Sequence, residues 1–179
     1  MPASNKKALA ARLKRIKLLI LDVDGVLTDG SIIYNDEGIE TKAFHVRDGH
    51  GIKMLMREGI DVALLTARSS RALEHRAKDL NISLVLQGRK DKLEGFMEIL
   101  VKKAILPEEA ACMGDDVVDL PLLRRAGLSV AVRVGVEEVK NAAHYITRLP
   151  GGRGAVREVT DMILKAQGRW KEAMKRYLK

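Results

Sequence analysis

Residues 16–28, IKLLILDVDGVLT, constrain the fold and the chemistry of this chain more than any other segment. The apolar run 18–21 predicts a strand buried on both faces, and Asp22, Asp24 and Gly25 follow it. Side chains two residues apart in an extended chain point the same way, so both carboxylates can face one pocket at the strand's carboxyl end. Such a pair repels and favours a bound cation, for which Mg²⁺ is the natural choice with oxygen ligands. A helix cap or turn is the competing interpretation.

The composition is that of a single globular domain. The chain has 179 residues, of which 31% are charged and 46% hydrophobic. We see no apolar run near the ~20 residues of a membrane span, and residues 1–15 lack the apolar core of a secretory signal. The single cysteine, Cys112, cannot form an internal disulfide, and we expect a cytoplasmic location and a buried thiol.

The positive charge is concentrated at the two ends of the chain. Residues 1–17 carry six Lys/Arg and no acid, and residues 165–179 carry six Lys/Arg and one acid. The ends together therefore contribute +11 to the net charge of +8, which leaves residues 18–164 at −3. With aromatic residues at 3%, little is present to stack on bases. We therefore expect no nucleic acid and no membrane as partner, and interpret the ends as solvated helix faces or subunit contacts.

Apolar runs alternate with helical patterns along most of the chain, which predicts an α/β fold: a Rossmann-like open parallel sheet with helices on both faces. Further strands are predicted at 61–65, 84–86, 110–113, 128–132 and 145–146. Helices are predicted at 48–58, from Ser69 or Ser70 as cap to 80, at 91–103, at 120–126 and at 137–142. The apolar side of the 91–103 helix is expected to comprise Leu93, Phe96, Met97, Leu100 and Val101.

Two further segments add to this sheet within one domain, 1–179. Residues 31–34 and 41–44 flank the turn-rich NDEG and predict a projecting β-hairpin within 28–46. The Gly-rich GGRG begins the segment 151–179, which continues as a helical tail. Its apolar stripe consists of Val156, Val159, Ile163, Ala166, Trp170, Met174 and Tyr177. This stripe can pack on its own sheet, and its length also makes an intersubunit contact plausible.

Polar side chains follow each predicted central strand where ligands bind in parallel sheets. Asp22 and Asp24 end the first strand, Thr66 ends the second, Lys92 starts a helix after the third, and Asp115 ends the fourth. Three acids, a hydroxyl and a lysine thus converge on one rim, which is the set that phosphoryl transfer needs.

Each of these residues has a role in such a reaction. Asp22 can attack phosphorus to form an aspartyl-phosphate, and Asp24 can protonate the leaving oxygen and then deprotonate water. Thr66 can hydrogen-bond a phosphoryl oxygen, while Lys92 supplies a fixed positive charge. Asp115 completes the shell of a Mg²⁺ ion, with Asp116 or Asp119 behind it to orient ligands.

Four segments resemble the signature motifs of the haloacid-dehalogenase superfamily, in its Mg²⁺-dependent phosphatase branch. They are LLILDVDGVLT, LLT, the lysine of RKDK and MGDDVVD, in this order. The resemblance implies that Asp22, Asp24 and Asp115 bind the metal, with Asp24 contributing its backbone carbonyl so that its carboxylate stays free for proton transfer.

DVDGVLTDG, FHVRDGHGIK, LLTAR, GDDVVDLP and GGRGAVREV further resemble a cap-less group in this superfamily that acts on acidic eight-carbon sugar phosphates in lipopolysaccharide precursor synthesis. That resemblance implies a homotetramer in which the hairpin and the Gly-rich segment close neighbouring sites. It implies substrate contacts at Asp24, His45, Val46, Arg47, Asp48, Gly49, Lys53, Arg68, Arg76 and Lys92. The chain has His45, Lys53 and Ala67 where asparagine, arginine and glycine are common in the group. For Lys53 and Arg76, a solvated helix face is nearly as good an interpretation.

Three alternatives remain open from the sequence. One is a related phosphatase for a nine-carbon nonulosonate 9-phosphate, against which Arg68 argues, since the resemblance implies an acid near this position in that group. Another is a non-catalytic phospho-accepting receiver module, which shares the residue types but not the DxDG spacing on the first strand. The third is a basic-tailed protein that binds nucleic acid without catalysis.

Overall fold

The computed structural model describes the backbone of residues 3–178 and the side chains of residues 6–178. Six parallel strands form the main sheet in the order β5-β4-β1-β6-β7-β8, and β2 and β3 form a separate antiparallel hairpin. The strands are β1 Leu18–Leu21, β2 Ile33–Tyr34, β3 Glu40–Thr41, β4 Asp61–Leu65, β5 Leu84–Leu86, β6 Ala110–Gly114, β7 Leu128–Ala131 and β8 Tyr145–Ile146. The predicted open parallel sheet is confirmed.

Helices cover both faces of this sheet. They are α1 Ala3–Arg15, α2 Val46–Arg57, α3 Arg71–Leu80, α4 Lys92–Lys103, α5 Leu120–Leu123, α6 Glu137–Ala142, α7 Ala155–Ala166 and α8 Trp170–Lys175. One hydrophobic cluster joins the sheet to α1, α2, α3 and α7, and a second joins it to α4, α5 and α6. Short 3₁₀ turns at Pro107–Glu109 and Val117–Asp119 bracket β6. The described residues include no helix long and apolar enough to cross a membrane.

The central strand β1 is buried on both faces, as its apolar run predicts. Leu19 and Leu21 pack into the cluster with α1, α2 and α7, while Leu18 and Ile20 pack into the cluster with α4. Each is at most 1% exposed, so each contributes about 2 kcal/mol of hydrophobic stabilisation. This packing anchors the carboxyl end of β1, where Asp22 and Asp24 follow.

The hairpin lies apart from the main sheet and is shorter than the sequence indicates. Its register pairs Ile33 with Thr41 and Tyr34 with Glu40. Asn35 shapes the turn, since its Oδ1 accepts hydrogen bonds from the amides of Glu37 and Ile39 at 3.1 and 2.8 Å. Four large apolar side chains here are 48–59% exposed, namely Ile32, Ile33, Tyr34 and Ile39. The hairpin therefore has an apolar surface that the described part of the chain leaves exposed.

Two predicted helices differ from the structure. In α4, Met97 and Val101 are 42% and 77% exposed, whereas Ile99 is buried beside Phe96 and Leu100. The prediction placed the apolar side too far around the helix, because it counted exposed apolar residues as core. The predicted 120–126 helix starts at Leu120 but ends at Leu123. The chain continues as turns and a bend to Ala126, and the amide of Gly127 then donates to the carbonyl of Pro107 at 2.8 Å.

Ser70 occupies the N-cap position of α3, but its side chain makes no capping hydrogen bond among the described residues. Its amide instead donates to Oε1 of Gln87 at 2.8 Å, so the predicted capping role is wrong for this side chain. In the C-terminal tail, Trp170 and Met174 are partly buried against the same core cluster as α7. This part of the stripe packs on its own sheet, and Tyr177 is 41% exposed.

Candidate active site

The side chains predicted to converge do lie around one cavity. The parallel register aligns Leu21 of β1 with Leu64 and Met113 of its neighbours, so Asp22 follows β1 close to the ends of β4 and β6. The amide of Asp22 donates to the carbonyl of Met113 at 3.1 Å. A cavity of about 270 Å³ at this edge is lined by Asp22, Asp24, Gly30, Thr66, Ala67, Arg68, Lys92, Asp115, Asp116 and Val118.

Lys92 links two carboxylates beneath this cavity. Its Nζ donates to Oδ1 of Asp22 at 2.7 Å and to Oδ1 of Asp119 at 2.5 Å, and its side chain is 2% exposed. Burial lowers the pKa of Lys92, but the attraction of Asp22 and Asp119 outweighs it and holds the pKa above its ordinary value. Lys92 therefore stays charged, and the first residue of α4 fixes that charge beside Asp22.

Burial and crowding raise the pKa of two acids. Loss of water is the main cause for Asp22, with repulsion from Asp119 added and attraction to Lys92 opposing, and the pKa is about 6. For Asp115, burial again comes first, followed by repulsion from Asp22 and Asp119, and the pKa is about 7. Without a metal, these carboxylates hold protons that unperturbed aspartates would lose near pH 4.

Asp119 orients the loop that carries Asp115. Its Oδ2 accepts from the amides of Asp115 and Asp116 at 3.0 and 3.4 Å, while its Oδ1 accepts from Lys92. Gly114 makes this possible, because a Cβ there would collide with the Asp119 side chain. Both oxygens of Asp119 thus have partners within the protein, which suits an orienting residue.

The carboxylate cluster fits a hard divalent cation. Asp22, Asp115 and Asp119 each offer an oxygen, and these atoms lie within 4.8 Å of one another. Three acids lie around one lysine, so negative charge is in excess, and repulsion among the acids adds to burial in raising the pKa values of Asp22 and Asp115. Oxygen ligands of this kind are those that Mg²⁺ prefers.

A glycine turn separates the roles of Asp22 and Asp24. Gly25 has φ +89°, and a Cβ at this position would overlap the Asp115 carboxylate. No other residue type combines that backbone conformation with that close approach. The turn brings Asp115 beside the first strand, while the Asp24 side chain lies against other partners.

The Asp24 carboxylate contacts cations, one of which the sequence analysis missed. Lys42 Nζ donates to its Oδ1, and Arg68 Nε lies 3.7 Å from its Oδ2. Both cations also contact Glu40, at 3.3 and 2.6 Å. Glu40 and Lys42 lie two residues apart at the second hairpin strand, so they share a face. That spacing is visible in the sequence, but it does not show that this face lies against Asp24.

Most of the residues expected to bind substrate lie outside the cavity in a single chain. Arg68, Lys92 and Asp24 line it, but Lys53 lines a different surface cavity beside Met56 and Leu80. Arg76 donates to the carbonyl of His45 at 3.3 Å and stacks over the Phe44 ring at 5.6 Å. Val46 is 77% exposed, and Arg47 lines a third cavity, beside Arg153 and Arg157.

Asp48 and Gly49 have structural partners within the chain. Asp48 is fully buried and accepts from the amides of Gly154 and Arg157 at 3.1 and 2.7 Å, so it caps the N-terminus of α7. Burial raises the pKa of Asp48 despite these bonds. Gly49 packs closely against Arg76 and Leu80 of α3. This segment therefore joins α2, α3 and α7.

Comparison with known proteins identifies the class to which this fold and this carboxylate site belong. Residues 81–156 match the family model described as haloacid dehalogenase-like hydrolase. The chain belongs to this hydrolase family, as its four strand-end motifs predict.

Several of the similar proteins are named as phosphatases of one sugar-acid phosphate. The chain is 48% identical to 3-deoxy-D-manno-octulosonate 8-phosphate phosphatase KdsC of Escherichia coli K12, over 91% of this chain and 87% of that protein. The Yersinia pestis phosphatase of the same name is 49% identical over 87% of this chain and 83% of its own. A Moraxella catarrhalis phosphatase of this name, solved with a magnesium ion, a phosphate ion and a KDO molecule, superposes with a TM-score of 0.92. That structure is 44% identical and covers 94% of this chain and 97% of its own.

Proposed function

We propose that this chain hydrolyses 3-deoxy-D-manno-octulosonate 8-phosphate to inorganic phosphate and the free sugar acid. The observation that carries the proposal is the meeting of Asp22, Asp24, Thr66, Lys92 and Asp115 around one cavity. The 48% identity to a phosphatase of that name supports the choice of substrate. A cytoplasmic location and a place in lipopolysaccharide precursor synthesis belong to the same proposal.

Asp22 is the nucleophile. Lys92 holds its Oδ1 at 2.7 Å, and we assign the attack to the other oxygen, Oδ2. Oδ2 attacks phosphorus, the phosphorus–oxygen bond to the sugar breaks, and the leaving oxygen takes a proton from Asp24. Water then attacks the aspartyl-phosphate, Asp24 takes up its proton, and the bond from phosphorus to Asp22 breaks to release phosphate.

Thr66 and Lys92 stabilise the transferring group. The Thr66 hydroxyl oxygen accepts from the amide of Arg68 at 3.2 Å, so its own hydrogen is available for a phosphoryl oxygen. Thr66 is 3% exposed, and its position after β4 is fixed by a bond from its amide to the Leu86 carbonyl at 3.0 Å. A fixed hydroxyl and a fixed ammonium suit a reaction that depends on positioning and charge neutralisation.

Asp22 and Asp115, with the backbone carbonyl of Asp24, are the groups that would hold Mg²⁺. When bound, the ion neutralises phosphoryl charge and lowers the cost of bringing an anionic substrate to an acidic site. Asp119 keeps Asp115 in place through its two amide contacts.

A homotetramer completes the site in this proposal. The cavity of about 270 Å³ is below the ~300–1,000 Å³ of typical small-molecule sites. His45 to Gly49, Lys53 and Arg76 lie outside it in their own chain, although they are expected to bind the sugar acid. The hairpin exposes Ile33, Tyr34 and Ile39, which suits contact with other copies. Neighbouring copies would then supply the missing cations.

A substrate panel tests the proposal. Phosphate release is measured for the eight-carbon sugar phosphate, a nine-carbon nonulosonate 9-phosphate and simple hexose phosphates, each with Mg²⁺ or with a chelator. We expect many turnovers per site, dependence on Mg²⁺ and the highest kcat/KM for the eight-carbon substrate. A higher value for the nine-carbon substrate would overturn the assignment, and no turnover would return the chain to the non-catalytic alternatives.

A further inference from the structure

The acid that handles protons in the proposed reaction, Asp24, belongs to a ring of four alternating charges. The Asp24 carboxylate contacts Lys42, Lys42 contacts Glu40 at 3.3 Å, and Glu40 accepts from Arg68 Nη2 at 2.6 Å. Arg68 Nε, at 3.7 Å from Asp24 Oδ2, closes the ring. Two of its members, Glu40 and Lys42, come from the hairpin, whereas Asp24 follows the central strand.

Lys42 is the most buried member of this ring. Its side chain is 2% exposed, against 14% for Glu40, 21% for Asp24 and 40% for Arg68. A buried charge needs partners of opposite sign, and here both acids of the ring contact the Lys42 ammonium. Burying a long flexible side chain costs rotamer entropy, so the ammonium is confined to one place beside the Asp24 carboxylate.

The contact makes the two oxygens of Asp24 different. Oδ1 accepts from Lys42. Oδ2 is buried and has no hydrogen-bond partner among the described residues, and the same is true of the Arg68 Nε that faces it. A buried carboxylate oxygen without a donor is costly and calls for an explanation. In a phosphatase, the substrate's leaving oxygen or the hydrolytic water provides one, since each exchanges a proton with a carboxylate oxygen.

We propose that Lys42 is a positioning residue for Asp24: it holds Oδ1 and thereby presents Oδ2 as the oxygen that gives and takes the proton. Glu40 contacts both Lys42 and Arg68 and so fixes the positions of these two cations beside Asp24. The hairpin therefore sets the geometry of acid catalysis. This inference rests on the proposed phosphatase function. In the first step the proton on Oδ2 moves to the leaving oxygen as its bond to phosphorus breaks. In the second step a proton from water returns to Oδ2 as the new oxygen–phosphorus bond forms.

The test compares how strongly the Lys42→Met substitution slows the reaction of two substrates, one whose leaving group must be protonated and one whose leaving group need not be. An alkyl phosphate has a poor leaving group that must be protonated, whereas p-nitrophenyl phosphate releases a stable phenolate that needs no proton. We expect kcat for the sugar phosphate to fall about 10- to 100-fold, with KM changed less than about 3-fold. With p-nitrophenyl phosphate, the first chemical step, read as the burst of phenolate, should fall less than about 3-fold.

Three controls separate positioning from general damage. Lys42→Arg keeps the cation and should recover part of the lost rate on the sugar phosphate. Lys103→Met removes a lysine paired with Asp61 at the far end of α4, and it should behave as wild type. Calorimetric binding of Mg²⁺ should be the same in Lys42→Met and wild type, because the Asp24 carboxylate is not a metal ligand in the proposed site.

Equal losses on both substrates would overturn the proposal, as would Lys42→Met with wild-type rates or with lost Mg²⁺ binding. Failure of the proposed function gives a different result. In that case the wild-type enzyme would not hydrolyse the eight-carbon sugar phosphate. Lys42→Met and wild type would then be compared on an alkyl phosphate that the wild-type enzyme does hydrolyse. Wild type that hydrolyses no phosphate ester would overturn both.

Discussion

The strand-end cavity and the segment from the hairpin into α2 hold functional candidates of opposite character. Around the cavity, Asp22, Lys92 and Asp119 are at most 9% exposed as side chains, and each has a fixed partner. In the other segment, Val46 and Arg47 are exposed, and Arg76 is partnered by a backbone carbonyl and an aromatic ring. The first region comes together around one cavity within a single chain, whereas Val46, Arg47 and Arg76 do not line that cavity in their own chain.

The difference follows from the structural elements that hold the side chains of each region in place. The cavity charges are set by a buried parallel sheet, whose strands end at one edge, so their separations are fixed by backbone hydrogen bonds. Burial in that poorly hydrated place raises the pKa values of Asp22 and Asp115, and repulsion between the crowded carboxylates adds to the effect. Val46 and Arg47 at the start of α2 are exposed, where water screens such effects, whereas the side chain of Lys42 in the hairpin is buried against Asp24. A site of this kind therefore has a rigid chemical half and an adaptable recognition half.

The sharpest test of the rigid half is Asp22→Asn. The amide keeps the shape of the side chain and an acceptor for Lys92, but it cannot attack phosphorus. We expect kcat for the sugar phosphate to fall by about 10⁴-fold or more, with an unchanged circular dichroism spectrum. Steady-state phosphate release measures the effect, and activity within tenfold of wild type would refute a covalent role for Asp22.

Lys92→Met tests the same half through both rate and stability. It leaves Asp22 and Asp119 buried without their shared cation, so we expect a stability loss of about 3 kcal/mol and a rate loss of about 10²-fold or more. Lys92 lowers the pKa of Asp22, so its removal raises that pKa further above the unfolded value. The folded variant then binds more protons than the unfolded chain, and its stability should fall as pH rises.

Urea unfolding at pH 5 and pH 8 measures this. Lys102→Met, which breaks an exposed pair with Glu98 on the same helix, is the matched control and should cost less than about 0.5 kcal/mol at either pH. Equal losses in the two variants would mean that the Lys92 network adds nothing to folding.

The contrast also explains what could be predicted from the sequence. Asp22, Thr66, Lys92 and Asp115 could be placed together because apolar runs locate buried strands, and parallel strands end at one edge. Lys42 could not, since a hairpin with two-residue strands has an orientation that local pattern does not determine. Asp48 and Gly49 bridge α2 to α7 and α3. These contacts are also tertiary, so motif position alone gave no indication of them.

The raised pKa values predict how pH controls metal binding. Without metal, Asp22 and Asp115 have pKa values of about 6 and about 7, so Mg²⁺ must displace protons below neutral pH. We expect Mg²⁺ affinity to fall about 10- to 100-fold from pH 8 to pH 5.5. The same shifts should make the metal-free protein less stable as pH rises from about 4 to 7, since the folded state binds more protons.

Titration calorimetry in buffers of different ionisation enthalpy measures both the affinity and the protons released. Asp79, an acid on the opposite end of α3 from the cavity-lining loop, offers a control: Asp79→Asn should not change the proton count. An affinity that is constant across this pH range would mean that the acids around the cavity do not bind the ion.

The smallest expected effect concerns the adaptable recognition half. Its measurement leads to a test of which chain supplies Arg76 to a given cavity. Arg76→Ala should raise KM for the sugar phosphate about tenfold, equivalent to about 1.4 kcal/mol, and leave turnover of p-nitrophenyl phosphate unchanged, because that substrate has no sugar acid to bind. Lys78→Ala, at an exposed position on the same helix, is the control and should leave both values unchanged.

Mixed oligomers then separate the two sources of Arg76. Co-expression of Arg76→Ala with Asp22→Asn, purified through one tag on each, gives oligomers in which one chain is catalytically intact and the other keeps its arginine. If a neighbouring copy supplies Arg76, the intact cavities facing an Asp22→Asn chain regain a wild-type KM. If each chain uses its own Arg76, every active cavity in the mixture still lacks it, and KM stays tenfold high. The second result would mean that the arginine moves into the cavity of its own chain, and the recognition half would then be adaptable within one subunit.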